Sequence, residues 1–309
     1  MKFALVFPGQ GSQSVGMLAD FPDFPIVRST FQEASDALGE DLVGMVDNGP
    51  ADRLALTTNT QPVMLAAGIA VYRAFREAGG PAPAFVAGHS LGEYAALVAA
   101  DVIDFGAAIR LVRLRADAMQ RAVPVGTGGM AAILGLDAEE VAIACEESAQ
   151  GDVVEAVNFN DPAQIVIAGH KDAVDRACEA CKARGAKRAI VLTVSAPFHS
   201  TLMKPAADAL AKALDDMMLR EPRIAVVNNV DTDAPVDPAM IRDALIRQAY
   251  HPVRWVEVIE KMRLLGAERV FESGPGKVLS GLTRRIDRAL DGGAITDQAS
   301  LLVAVEAVQ

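Results

Sequence analysis

Residues 85–100 read FVAGHSLGEYAALVAA, and this stretch restricts the fold more than any other. An apolar strand end runs into Gly88-His89-Ser90-Leu91-Gly92, and an apolar helix follows at once. A strand that reverses so sharply into a helix holds the central residue in a strained conformation, and flanking glycines remove side chains that would clash. Such a junction belongs in an α/β layer structure, with Ser90 presented at the end of a strand. The first amides of the following helix, Leu91 N–H foremost, then face any oxyanion formed at Ser90.

The surrounding chain agrees with that frame. Apolar patterning predicts strands at 2–7, 84–87, 223–227 and 269–272, and helices at 61–78, 91–100, 105–122, 202–218, 238–248, 253–265 and 277–290. Alternating strands and helices call for a mainly parallel sheet. The middle of the chain differs. After the flexible Val125-Gly126-Thr127-Gly128-Gly129, the pattern reads strand 130–136, helix 138–149, strands 152–159 and 164–168, helix 172–183, strand 187–194. That β-α-β-β-α-β order is ferredoxin-like. The expected fold is therefore α/β. It has a large α/β-hydrolase-like domain, residues 1–125 and 197–309, and an inserted ferredoxin-like small domain, residues 126–196.

Composition narrows the classes of function. The formal net charge of -11 is opposite to that of a nucleic-acid binder, and any acidic partner must meet a local basic patch. Three cysteines, Cys145, Cys178 and Cys181, are no disulfide framework. Cys178 and Cys181 form a CxxC inside a helical stretch with no further ligands nearby, so no metal site is expected. The start, MKFALVFPGQGSQ, is too short for a signal core, and no charge-free apolar run of about 20 residues occurs. A cytoplasmic protein without a membrane span is expected.

A nucleophilic serine needs a base, and the chain has four histidines. His89 adjoins Ser90, where elbow geometry turns neighbouring side chains apart. His170 suits a surface loop. His199, in VSAPFHSTLM, lies where the chain re-enters the large domain, and His251 in AYHPVRW stands next as an alternative. FPGQGSQ is a second glycine-bearing turn after a strand, able to bring a backbone N–H to the cleft. ESGPGKVLSGL lacks Walker-loop spacing and reads as an ordinary strand-to-helix turn. On spacing alone, Arg110, Arg113 and Arg115 in RLVRLRADAMQ read as a solvated basic helix face.

FPGQGSQ, GHSLGE, Arg115 ahead of MQRAVP, GTGGMAAILGL, NFNDPAQIVIAG, APFHS, RQAYHPVRW and FESGPGKVLSGL occur in one order and span nearly the whole chain. Together they resemble the malonyl-CoA:acyl carrier protein transacylases, within the acyltransferase family of fatty-acid and polyketide synthesis. The resemblance implies that Ser90 is the nucleophile and His199 its base. It implies that the amides of Gln10 and Leu91 form the oxyanion hole and that Arg115 binds the malonyl carboxylate. It further implies that the Gln248 carbonyl orients His199 and that Phe198 restricts the acyl group. The substrates implied are malonyl-CoA and the phosphopantetheine thiol of acyl carrier protein, with no permanently bound cofactor and no metal. A monomer is expected. Since carrier proteins of this pathway are acidic, Lys187 with Arg188 and Arg284 with Arg285 are the expected docking charges. A serine hydrolase or thioesterase, a polyketide-pathway acyltransferase, and a binding module with a dead site are the alternatives.

Overall fold

The computed structural model describes residues 1–17 and 19–309. Its first sheet contains five strands, β1 (Phe3–Phe7), β2 (Phe85–Gly88), β7 (Ala225–Val227), β8 (Arg269–Ser273) and β9 (Asp291–Ile295). They lie in the order β7-β2-β1-β8-β9, and every pairing is parallel. β1 is central and wholly buried, with successive side chains entering opposite cores. Phe3, Leu5 and Phe7 join one apolar cluster, Ala4 and Val6 the other. Burial on both faces is what a near-continuous apolar strand requires.

Helices cover both faces. On one side lie α1 (Pro25–Leu38), α2 (Leu42–Asn48), α3 (Ala51–Leu54), α4 (Thr57–Glu77), α5 (Gly92–Ala99) and α6 (Phe105–Arg121), later joined by α9 (Lys204–Asp215), α10 (Pro238–Gln248) and α13 (Gln298–Val308). α11 (Trp255–Leu264) and α12 (Val278–Ile286) pack on the other face. α4 is buried almost all round, because its Ala- and Val-rich faces meet the sheet on one side and α1 and α6 on the other.

The second sheet has strands β3 (Gly128–Leu134), β4 (Val154–Asp161), β5 (Gln164–His170) and β6 (Arg188–Val191), with α7 (Ala138–Ala149) and α8 (Lys171–Ala183) between them. Its order is β4-β5-β3-β6 and all pairings are antiparallel, the ferredoxin-like arrangement. Ala131, Ile133, Ile165 and Ile167 face α7 and α8, and the three cysteines sit in that same core as free thiols. Met130, Val157, Val166 and Ala168 face the other way, where Leu192, Val194 and Phe198 pack on them. β4 is tied to the large unit by a bridge between Asn158 and Val253 and by the Arg285–Asp161 ion pair at 2.5 Å. Glu155 accepts from the amide and hydroxyl of Thr201 at 2.8 and 2.9 Å.

Several elements depart from the sequence expectation. The strand expected through residue 194 leaves the ladder at Val191, because Val194 N–H turns back onto Leu192 O. The helix expected over 277–290 ends at Ile286, where Asp287 becomes extended and the chain enters β9. β9 has the sequence DGGAI, whose glycines carry no strand signal, and parallel pairing to β8 supplies what local propensity does not. α1, α2, α3 and α13 also lie outside the expectation. Among the described residues, no helix is long and apolar enough to cross a membrane.

Candidate active site

The site assembles at the carboxyl ends of β1 and β2. Phe7 and Gly88 are paired in register, so the two glycine turns that follow must meet. They approach closely: a Cβ on Gly9 would sit 2.8 Å from His89 O. In the elbow itself, a Cβ on Gly88 would fall 1.9 Å from the Gly92 backbone carbon. Ser90 takes φ 53°, a left-handed conformation unusual for a residue with a side chain.

Ser90 Oγ lies 2.7 Å from His199 Nε2, and His199 Nδ1 lies 2.9 Å from Gln248 O. A carbonyl can only accept, so Nδ1 carries the proton and Nε2 is free to accept from the serine hydroxyl. His199 is itself left-handed, φ 65°, and almost wholly buried. Desolvation first, and the Arg115 charge second, push its pKa down to about 3. The ring is therefore neutral at neutral pH.

Arg115 projects from α6 into the same place, and it is 2% exposed. It donates to Gln61 Oε1 at 2.8 Å, Ser90 Oγ at 3.1 Å and Gln248 Oε1 at 3.2 Å, with its guanidinium carbon 5.4 Å from the Tyr94 ring centre. Spacing alone suggested a solvated basic face for this helix. Arg110 fits that description, whereas Arg113 is half-buried and paired with Glu40 at 2.6 Å, and Arg115 is buried. Among the described residues, no carboxylate forms an ion pair with Arg115. The nearby Glu93 is buried, and desolvation pushes its carboxyl up to about 7. A buried cation without a paired anion, placed against a serine hydroxyl, is a receptor for an anionic group.

The cleft between the two sheets has a volume of about 440 Å³. Gln10, Leu91 and Arg115 line its floor, and Met130, Val166 and Phe198 its apolar wall. Among the described residues, neither Gln10 N–H nor Leu91 N–H donates to a protein acceptor. Among the described residues, no other histidine bonds to Ser90 Oγ, although His89 also lines the cleft. His89 Nε2 meets Asn160 Oδ1 at 2.8 Å, His170 Nδ1 accepts from Val153 N–H, and His251 packs at a tilt against Tyr250.

The four expected docking residues do not line the cleft. Arg188 starts β6 and Lys187 immediately precedes it, both exposed and at the opposite end from Leu192 and Val194. Arg285 is held by Asp161, next to the cleft residue Asn160, and Arg284 is exposed. Gln61 and Asn229 belong to the site's hydrogen-bond network and were not legible in the sequence. A glutamine opening an apolar helical run and an Asn-Asn pair after a strand were the only signals.

Known proteins share this fold. Residues 4–277 match the acyl transferase domain. The chain is 56% identical over 306 residues to the malonyl CoA-acyl carrier protein transacylase of Escherichia coli (strain K12), covering 99% of each. An acyl-carrier-protein S-malonyltransferase structure from Burkholderia pseudomallei 1710b superimposes with a TM-score of 0.97 at 59% identity, over 99% of this chain and 100% of that one. A malonyl-transacylase solved in complex with its type II PKS acyl-carrier protein gives 0.98 at 55% identity, over 99% and 100%. With the serine elbow, its histidine and the buried arginine in one cleft, and full-length identity at this level, the chain belongs to the malonyl CoA-acyl carrier protein transacylase family of acyl transferase-domain proteins.

Proposed function

We propose that this protein moves a malonyl group from malonyl-CoA to the phosphopantetheine thiol of acyl carrier protein, through a malonyl ester on Ser90. His199 Nε2 takes the Ser90 proton as Oγ attacks the thioester carbonyl. Gln10 N–H and Leu91 N–H hold the oxyanion. The tetrahedral intermediate collapses, the carbon–sulfur bond breaks, and His199 returns the proton to the CoA thiolate. The imidazolium that exists in between is steadied by its Nδ1–H bond to Gln248 O. In the second half the carrier thiol gives its proton to His199 and attacks the ester, and Ser90 leaves with that proton. This is ping-pong acyl transfer, and it needs water kept from the ester.

The observation that carries this reading is Arg115, a buried guanidinium in contact with the nucleophile and without a paired carboxylate. A malonyl carboxylate would supply that anion through two parallel bonds. It would also offset the Arg115 charge, which after desolvation is the second cause of the lowered basicity of His199. Phe198 would then limit bulk beyond the carboxylate. We further propose that residues 1–125 with 197–309 and residues 126–196 are two domains that flank the acyl group between them. The protein works as a cytoplasmic monomer without a resident cofactor or metal and without membrane or nucleic-acid contact. Lys187, Arg188, Arg284 and Arg285 receive the acidic carrier.

The test is the intact mass after brief exposure to malonyl-CoA, followed by addition of phosphopantetheinylated carrier protein. A single adduct on Ser90 that is discharged onto the carrier is expected. Release of CoA at the same turnover without acceptor would identify a hydrolase instead.

A further inference from the structure

We propose that Asn229 is a positioning residue for Ser90, holding the nucleophile elbow in its strained form by bonding the peptide groups on either side of His89. The inference rests on the acyl-transfer reading for its consequence, although the geometry stands by itself. Where β2 ends and α5 has not begun, Gly88 C=O and Ser90 N–H need partners. One side chain supplies both. Asn229 Nδ2 donates to Gly88 O at 2.8 Å, and Asn229 Oδ1 accepts from Ser90 N at 2.8 Å. A carbonyl only accepts and an amide N–H only donates, so the orientation of this side chain is unique.

The remaining groups of Asn229 are also committed. Its backbone N–H donates to Glu93 Oε2 at 2.8 Å, and its carbonyl accepts from Arg254 N at 3.2 Å. The residue is 0% exposed. The sheet brings it there: Val227 of β7 pairs with Ala87 of β2, so two residues further on the chain stands beside the elbow. Glu93, in the first turn of α5, ties the same loop to the helix that Ser90 leads into.

The consequence lies in which amides remain for the reaction. Ser90 N–H is consumed by Asn229, and Ser90 C=O accepts from Gln248 Nε2 at 3.0 Å. The φ 53° conformation is thus gripped from both sides. Oγ stays against His199, and Leu91 N–H is left without a protein acceptor. Without Asn229, two buried peptide groups lose their partners, and the elbow relaxes toward an unstrained φ that disperses Oγ.

The test compares the Asn229→Ala and Asn229→Asp variants with the wild type. The endpoint of fluorophosphonate labelling counts folded sites in each, and rates of labelling and of malonyl-ester formation are normalised to it. Asn229→Ala should slow ester formation at saturating malonyl-CoA about a hundredfold, with KM nearly unchanged. Aspartate at 229 presents a carboxylate oxygen to Gly88 C=O unless it is protonated, and only the acid can copy both bonds. Glu93, which accepts from the residue 229 amide and whose carboxyl is pushed up to about 7, titrates in the same range in both proteins, so the rate is read as a ratio to wild type. That ratio should rise at least about tenfold between about pH 8 and about pH 6. A role confined to stability would alter the endpoint but leave both normalised rates at the wild-type value. An unchanged rate in Asn229→Ala, or a pH-independent ratio in Asn229→Asp, overturns the proposal. If the alanine variant does not fold, the aspartate ratio decides. If the wild type forms no malonyl ester, the acyl-transfer reading fails, while the fluorophosphonate rates still decide the role of Asn229.

Discussion

Arg115 shows how far one residue can depart from the face it sits on. Arg110 on α6 is exposed and Arg113 is half-buried against Glu40, whereas Arg115 is buried among Gln61, Ser90 and Gln248. If its function is to pair with a carboxylate, Arg115→Ala should lose malonyl ester formation by about a hundredfold or more, since charge-assisted bonds are worth about 1.5–3 kcal/mol each. Acetyl-CoA, which leaves the guanidinium unpaired, should lose little or gain. Single-turnover acylation with both thioesters reads the difference, and equal losses would assign Arg115 a structural role. His199 carries a second expectation. Its folded pKa lies below the ordinary 6.5, so the neutral, proton-accepting form persists as pH falls. The acid limb of kcat/KM for acylation should lie clearly below 6.5, and a limb at or above that value would contradict a buried, neutral base.

Among the elements, the β2–α5 junction depends on having no side chain at Gly88. The nearest obstacle to a Cβ there is the Gly92 backbone, not the flexible end of a side chain. Gly88→Ala should therefore cost about 3 kcal/mol or more, read as a lower urea midpoint with an unchanged slope. A shift below about 1 kcal/mol would mean that the elbow can open without strain. β2 and β6 also differ in how well sequence describes them. β2 is buried on both faces and is predicted to within one residue at each end, whereas β6 is an exposed edge strand and ends three residues early. Edge strands lack a second neighbour to extend them, so local turns decide where they stop.

For the molecule as a whole, net charge and docking pull in opposite directions. A chain at -11 repels an acidic partner unless its local field differs. Lys187, Arg188 and Arg284 are exposed and outside any ion pair among the described residues, whereas Arg285 is spent on Asp161. Reversing Lys187 and Arg188, or Arg284 and Arg285, to glutamate should lower kcat/KM for the carrier protein about tenfold at low salt. The loss should shrink at high salt, and Ser90 acylation by malonyl-CoA should change less. Arg284→Glu alone separates docking from loss of the Arg285–Asp161 tie. Unchanged values for both pairs would remove these clusters as the docking surface.

By itself the sequence determined the strand–serine–helix junction, the alternating α/β frame and the ferredoxin-like order of the middle segment. Each of these is encoded locally, in glycine placement and apolar period. The ordered motifs then pointed to a family that the full-length comparisons bear out. Tertiary structure alone decided what stands around Ser90. Along the chain His251 stood next to His199 as an alternative base, yet it is His199 that emerges where Gln248 O can accept a hydrogen bond from its Nδ1–H. Arg115 looked solvated because helical spacing does not say which neighbours cover a face. Asn229 was invisible, because its role depends on β7 lying next to β2, a pairing between residues about 140 positions apart. Local chemistry is written in neighbouring residues, whereas burial and hydrogen-bond partners are set by which distant segments the sheet order brings together.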